Sequence, residues 1–304
     1  MSMILSTRVP WHDKVIGQVK KVFKIKEENQ GTFKYVGLNV VQTSDAILLE
    51  QDTYIRKLEP IMLPAERLQD KELPLTKDEK AKLRSISGQI LWATSQTRPD
   101  ATFDACITSN YGKNPTVRNI VQANKAIKKL QATRVQLVFP GLGNPDKLEV
   151  VTYADASHAN LPSGASQGGI IVFLTGKGHA APILWQSKKI SRVTKSPFAS
   201  ETLVQADSAD SGVLVAKMAE EIFNVSSIRV LCCTDSKSLM DHINTSHVIQ
   251  DARLRVDIAR IKEMIKVKEI CMKWVPNEQQ LADPMTKAGA SPSKLLEVLQ
   301  SGRL

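Results

Sequence analysis

The sequence predicts an α/β protein in two parts, a smaller and mostly helical α+β region followed by a mixed five-stranded sheet with flanking helices. Three observations lead there. Up to about residue 135 the apolar residues recur mainly at helical spacing, with only a short β-rich stretch near 33–50. GLGNPDK at 141–147 is a turn-forming linker. Beyond it the pattern becomes three strands in succession, then helix, strand, helix, helix and strand.

Taken in order, DKVIGQVKKVFKIKEEN (13–29) places Val15, Val19, Val22 and Phe23 on one face with lysines between them, an amphipathic helix with a basic polar side. Two β-rich runs, 33–41 and 46–50, joined by a Thr-Ser-Asp turn, predict a hairpin, and a short helix follows that Pro60 closes. The stretch 61–75, rich in Pro and charge, reads as a linker. Thr76 and Glu79 form a capping-box pattern opening a long helix that Arg98-Pro99-Asp100 ends. Helices over 100–110 and 115–133 complete the first half. In the second half, strands are expected at 148–155, 168–176, 181–189, 228–235 and 270–276, with helices at 200–224, 236–244, 257–268 and 292–300. Three strands on tight turns followed by crossovers describe an antiparallel meander whose first strand is then joined by parallel neighbours.

Composition narrows the function. No apolar run approaches the roughly 18 residues that a membrane span needs, and the apolar start is broken by Arg8 and Pro10, unlike a signal peptide. Cys106, Cys232, Cys233 and Cys271 show neither a disulfide framework nor a C-x-x-C metal spacing, so a reducing, intracellular setting, cytoplasmic or nuclear, is expected, with no membrane partner. The net charge of +10 is concentrated in residues 1–145, which carry 22 Lys and Arg against 14 Asp and Glu. Such an excess suits a phosphate backbone, and a solvated lysine-rich helix face is the plainer alternative.

The acidic residues carry the chemistry. Asp155 and Asp235 each follow a strongly apolar strand, at the C-terminal strand ends where α/β folds place their sites. If the two strands are parallel neighbours, the carboxylates lie side by side, an arrangement that a hard, oxygen-preferring cation such as magnesium or manganese would relieve. Glu201 opens the helix after the third strand, and Asp283 follows the last strand. Each has a plain alternative: Asp235 and Asp283 as caps for the helices beginning at Ser236 and Pro284, and Glu201 as a complement to the helix dipole. Only their conjunction in one sheet favours catalysis.

In TYADASHAN, GGIIVFLTG, ILWQSKK, SPFASETLVQADSAD, CCTDSKSLMDHI, DARLRVDIARIKEMI and KWVPNEQQLADPMTKAGA, residues 148–300 resemble the ribonuclease H domain of copia-type long-terminal-repeat retrotransposon Pol polyproteins. FKYVGLNVVQ, RSISGQILWATSQTRPD and NPTVRNIVQANKAIKKL are similar to the segment that such polyproteins carry after the polymerase active site. The resemblance implies a ribonuclease H-like mixed five-stranded sheet over 148–300, a residual reverse-transcriptase palm or hairpin segment over 1–60, and a helical thumb or connection-like segment over 61–140. It implies that Asp155, Glu201, Asp235 and Asp283 are the catalytic, metal-binding carboxylates, with two magnesium ions per site, or manganese in their place. In this reading Asp155 bridges both ions, Glu201 and Asp235 complete the shell of one, and Asp283 that of the other. The implied activity is hydrolysis of the RNA strand of an RNA–DNA hybrid, with other retroelement proteins as further partners.

Recognition of the RNA 2′-hydroxyl calls for a polar side chain near the site, and Ser157, Gln205 and Ser236 are the candidates, against the plainer reading of ordinary surface. Some ribonucleases H place a histidine just before the fourth carboxylate. Here VPNEQQLA fills that stretch, and His158 is the histidine nearest to Asp155 in sequence. No Asp-Asp pair of the polymerase type occurs upstream, so polymerase activity is not expected. A catalytically idle nucleic-acid-binding or assembly module from the same polyprotein is the alternative to a nuclease.

Overall fold

The structure is a computed structural model that describes residues 12–24, 29–161, 163–245 and 249–304, with the side chains of 12–16 left aside. The helix expected over 13–29 is observed as α1 (His12–Val22), and residues 25–28 lie outside the described residues. The single run expected over 33–41 is in fact two strands, β1 (Thr32–Tyr35) and β2 (Leu38–Gln42). Between them Val36 and Gly37 both take positive φ, 46° and 80°, the two-residue turn whose twist suits a tight hairpin. The unbroken apolar character of the run hid that turn.

β3 (Ala46–Glu50) pairs antiparallel with β2, and α2 (Asp52–Ile55) and α3 (Ala65–Gln69) follow. α4 (Lys77–Gln96) begins with the expected capping box: the Glu79 amide donates to the Thr76 hydroxyl, and the Thr76 amide donates to the Glu79 carboxylate. α5 (Thr102–Ser109) and α6 (Val117–Ala132) share a core with α4 that includes Leu83, Ile86, Ile90, Ala105, Val117, Ile120 and Ile127. β4 (Leu137–Pro140) then returns to pair with β3, completing a four-stranded sheet that brackets the helices in sequence.

The second sheet consists of β5 (Glu149–Ser157), β6 (Gln167–Gly176), β7 (His179–Lys189), β8 (Arg229–Thr234) and β9 (Ile270–Trp274), in the order β7-β6-β5-β8-β9. β5, β6 and β7 are antiparallel neighbours, while β8 runs parallel to both β5 and β9. β5 is therefore central, and its C-terminal end lies next to that of β8. α7 (Pro197–Phe223) and α9 (Ala252–Lys266) cover one face, α8 (Lys237–Asn244) follows β8, and α10 (Ser293–Ser301) ends the chain.

Both faces of this sheet are covered, which explains the nearly continuous apolar run of β6. Ile170, Val172 and Leu174 join the core under α7. Ile171 and Phe173 face the other way, into a core shared with Leu38, Val40, Ile47, Leu49 and Leu137 of the first sheet and with Leu295, Val298 and Leu299 of α10. The two halves thus share an apolar core, and Trp185 Nε1 of β7 donates to the Thr94 carbonyl of α4 across the junction. Among the described residues, no helix is long and apolar enough to cross a membrane.

Candidate active site

β5 and β8 bring the first two carboxylates together. Their parallel register pairs Tyr153 with Cys233, so Asp155 and Asp235 each lie two residues beyond paired positions on adjacent strands. Ser196 N-caps α7 by accepting from the Ala199 amide, which leaves Glu201, in the next turn, free to reach the end of the sheet. Its carboxylate accepts from the Ala156 amide at 3.3 Å. One oxygen each from Asp155, Glu201 and Asp235 lies within 4.8 Å of the others. Three separate elements therefore converge on one pocket.

The capping alternative fails for Asp235, because Ser236 performs that role for α8 by accepting from the Leu239 amide. Asp283 opens a 3-10 turn (Asp283–Met285) that has no side-chain cap.

Asp283 stands outside the group of three. Its carboxylate is bridged by Lys287, four residues on, whose ammonium also lies 3.6 Å from Asp155 Oδ2. Thr286 Oγ1 donates to the same Asp155 oxygen and to the Asp283 carbonyl. Gln280 Nε2 donates to the Ala154 carbonyl at 2.9 Å and to Asp235 Oδ1 at 3.3 Å, tying β5 to the third carboxylate. Trp274 Nε1 holds the Asp235 carbonyl from the end of β9.

Two adjacent glycines make room for these elements. A Cβ on Gly168 would lie 2.6 Å from Val204 Cγ2 of α7, and one on Gly169 would lie 2.7 Å from Met285 Cβ and 2.9 Å from Thr286 Cγ2. Successive residues of a strand face opposite sides, so the Gly-Gly pair admits α7 on one face and the 282–287 segment on the other. Gly169 is paired with Asp155 in the β5–β6 register, so the approach it permits is made at the site itself.

Crowded carboxylates in a desolvated pocket resist ionisation. Burial, chiefly, and then the Asp155 and Asp235 charges push Glu201 up to about 9, while the Ala156 amide and Lys287 oppose them. Burial also raises Asp155, against the pull of Lys287 and the Thr286 hydroxyl. Burial alone would lower Lys287, yet Asp155 and Asp283 outweigh it and hold the ammonium above its usual range. The donor set is three carboxyl groups, oxygen only, which fits magnesium or manganese and not a thiolate- or imidazole-preferring metal.

The other candidates separate. Ser157 closes β5 beside the site. Ser236 is engaged as the α8 cap. Gln205 is 1% exposed, and neither end of its amide has a hydrogen-bond partner. One turn along α7 from Glu201, it is buried, contrary to the surface position expected of it. His158 Nδ1 meets Ser200 Oγ at 3.1 Å within a hydroxyl network that includes Ser166 and Thr194, apart from the carboxylate group. Gln280, Thr286 and Lys287 are site residues that sequence reasoning misses, although all three lie with Asp283 in the QLADPMTK stretch. For Lys287 the i,i+4 spacing from Asp283 was the available signal.

The central position of β5, the antiparallel and parallel pairings around it and the acidic group at its end define a ribonuclease H-like domain. The chain is similar to proteins of transposons, in line with the resemblance carried by its sequence motifs. It is 27% identical over 217 residues to a putative transposon Ty5-1 protein of Saccharomyces cerevisiae, a match covering 64% of this chain and 67% of that protein. It is 22% identical over 300 residues to the retrovirus-related Pol polyprotein from transposon TNT 1-94 of Nicotiana tabacum, covering 90% of this chain and 22% of the polyprotein. The chain thus spans about a fifth of the length of that second relative. Among solved structures, RNase H1 from the archaeon Halobacterium salinarum is 17% identical with a TM-score of 0.34, covering 45% of this chain and 94% of that one. No protein-family model matches the chain.

Proposed function

We propose that residues 148–300 form a divalent-metal-dependent endonuclease that hydrolyses the RNA strand of RNA–DNA hybrids. The observation that carries this reading is the convergence of Asp155, Glu201 and Asp235, from a central strand, a helix and a neighbouring strand, to within 4.8 Å. Asp155, Glu201 and Asp235 would hold the ion, and Asp283, across Lys287, would serve a second one. When bound, such ions supply Lewis-acid activation of water and neutralise charge on the phosphorus and the leaving oxygen.

The protein's part is to hold the carboxylates against their mutual repulsion, which Gln280, Thr286 and the Ala156 amide do. Ser157, at the end of β5, remains the candidate for contact with the RNA 2′-hydroxyl. In this reading residues 1–60 and 61–140 are the palm-derived and thumb-like segments, and their positive charge grips the duplex backbone.

The test is hybrid cleavage in magnesium by the full chain and by its Asp235→Asn variant. Cleavage by the first and not by the second is expected. Hybrid binding without cleavage by the unmodified chain would instead indicate an idle nucleic-acid-binding module.

A further inference from the structure

Lys287 stands in the carboxylate pocket on a backbone held at several points. Ser187 Oγ donates to the Met285 carbonyl at 2.6 Å, Asn160 Nδ2 donates to the Thr286 carbonyl at 2.8 Å, and the Thr286 hydroxyl reaches Asp155 and the Asp283 carbonyl. The Cα of Lys287 is thereby fixed relative to β5 and β7. Its side chain is held by ion pairs instead: 43% exposed, it ends in an ammonium that contacts Asp283 and lies 3.6 Å from Asp155. A lysine is a compact charge on a flexible four-carbon stem, so the ammonium can leave the pocket by rotamer changes alone while the backbone stays in place.

We propose that Lys287 is a resident counter-cation of the acidic pocket, occupying it with an ammonium that a divalent metal ion displaces. The proposal rests on the metal-site reading above and adds a competition within it. With the lysine in, the fold tolerates its cluster of carboxylates without metal. With the lysine out, the same oxygens are available to an ion. Any contribution of Lys287 to metal affinity is therefore unfavourable, the opposite of what a lysine that merely braces the site would give.

The test is calorimetric titration of the full chain with magnesium, in the absence of nucleic acid, for the unmodified protein, Lys287→Met, Lys287→Arg and Asp155→Asn. Removing a competitor of partly exposed ion-pair strength is expected to tighten magnesium binding of Lys287→Met by about two- to fivefold. The same substitution lowers the melting temperature in EDTA and enlarges the upward shift caused by magnesium. Lys287→Arg, which keeps the charge, should stay near the unmodified protein in affinity. Acetylation of Lys287, followed by mass spectrometry, should accelerate in the unmodified chain when magnesium is added, and not in Asp155→Asn.

Equal or weaker magnesium binding by a folded Lys287→Met, or acetylation indifferent to magnesium, overturns the proposal and leaves the metal site standing. A complete failure of the unmodified chain to bind magnesium overturns the site reading and this proposal with it.

Discussion

Gly169→Ala is the smallest substitution that tests how the site is assembled. The added methyl would meet Met285 Cβ at 2.7 Å, Thr286 Cγ2 at 2.9 Å and the Ala282 carbonyl oxygen at 3.0 Å, all on the segment that carries Asp283 and Lys287. Restoring Met285 to an ordinary contact of at least 3.4 Å requires a movement of about 0.7 Å. The segment cannot yield freely, because Ser187 and Asn160 hold its carbonyls. Overpacking of this kind costs about 1–3 kcal/mol, read by urea denaturation. A displacement approaching 1 Å at reacting groups costs up to about 100-fold in rate, so hybrid cleavage should fall by about 10- to 100-fold. Gly212→Ala is the control. Its methyl would crowd Thr152 Cγ2 at 2.7 Å and Val230 Cγ1 at 2.8 Å, at a point on α7 eleven residues beyond Glu201, or roughly 16 Å along the helix. It should lose comparable stability and retain most of the activity. Equal losses of activity in the two variants, or full activity in a destabilised Gly169→Ala, would refute the claim that this glycine sets the position of the 282–287 segment.

Two further outcomes follow from the same geometry. Glu201 keeps its proton up to about 9 in the folded chain, against an ordinary value of 4.5. The unfolded chain releases that proton first, so its contribution to stability is complete below pH 4.5 and is lost as pH rises toward 9. By pH 7 the loss is on the order of 3 kcal/mol, and urea midpoints in EDTA should fall between pH 5 and 8. Saturating magnesium should flatten that slope, and identical slopes with and without it would remove the carboxylate group as its source. Expressing the second half without residues 1–140 should uncover Ile171 and Phe173 of the shared core. Strong binding of a hydrophobic dye and loss of cooperative unfolding are expected, and cooperative unfolding without dye binding would show that the shared core is dispensable.

Most of the second half was legible because its strands are apolar runs punctuated by turns, and because β6 reads as a run buried on both faces. The first half was less so. Val36-Gly37 interrupts an apolar stretch without changing its hydropathy, and β4 is four residues beside a linker whose partner, β3, lies some ninety positions earlier. In the site, Asp155 and Asp235 announce themselves by standing at the ends of strongly apolar runs, Asp155 near the end of β5 and Asp235 just after β8. What could not be read is whatever depends on one segment approaching another: the burial of Gln205, the place of Asp283 outside the group of three, and the hydrogen bonds of Gln280 and Thr286. Lys287 is the sharpest case, because its role arises from its nearness to Asp155, 132 positions away in the sequence.

Manganese soaked into crystals of the full chain, located by its anomalous scattering, addresses the central claim most directly. The account predicts a peak bounded by the carboxylate oxygens of Asp155, Glu201 and Asp235, with the Lys287 ammonium withdrawn from Asp155. Well-ordered density for all three side chains with no manganese among them, and the ion found elsewhere, would contradict it.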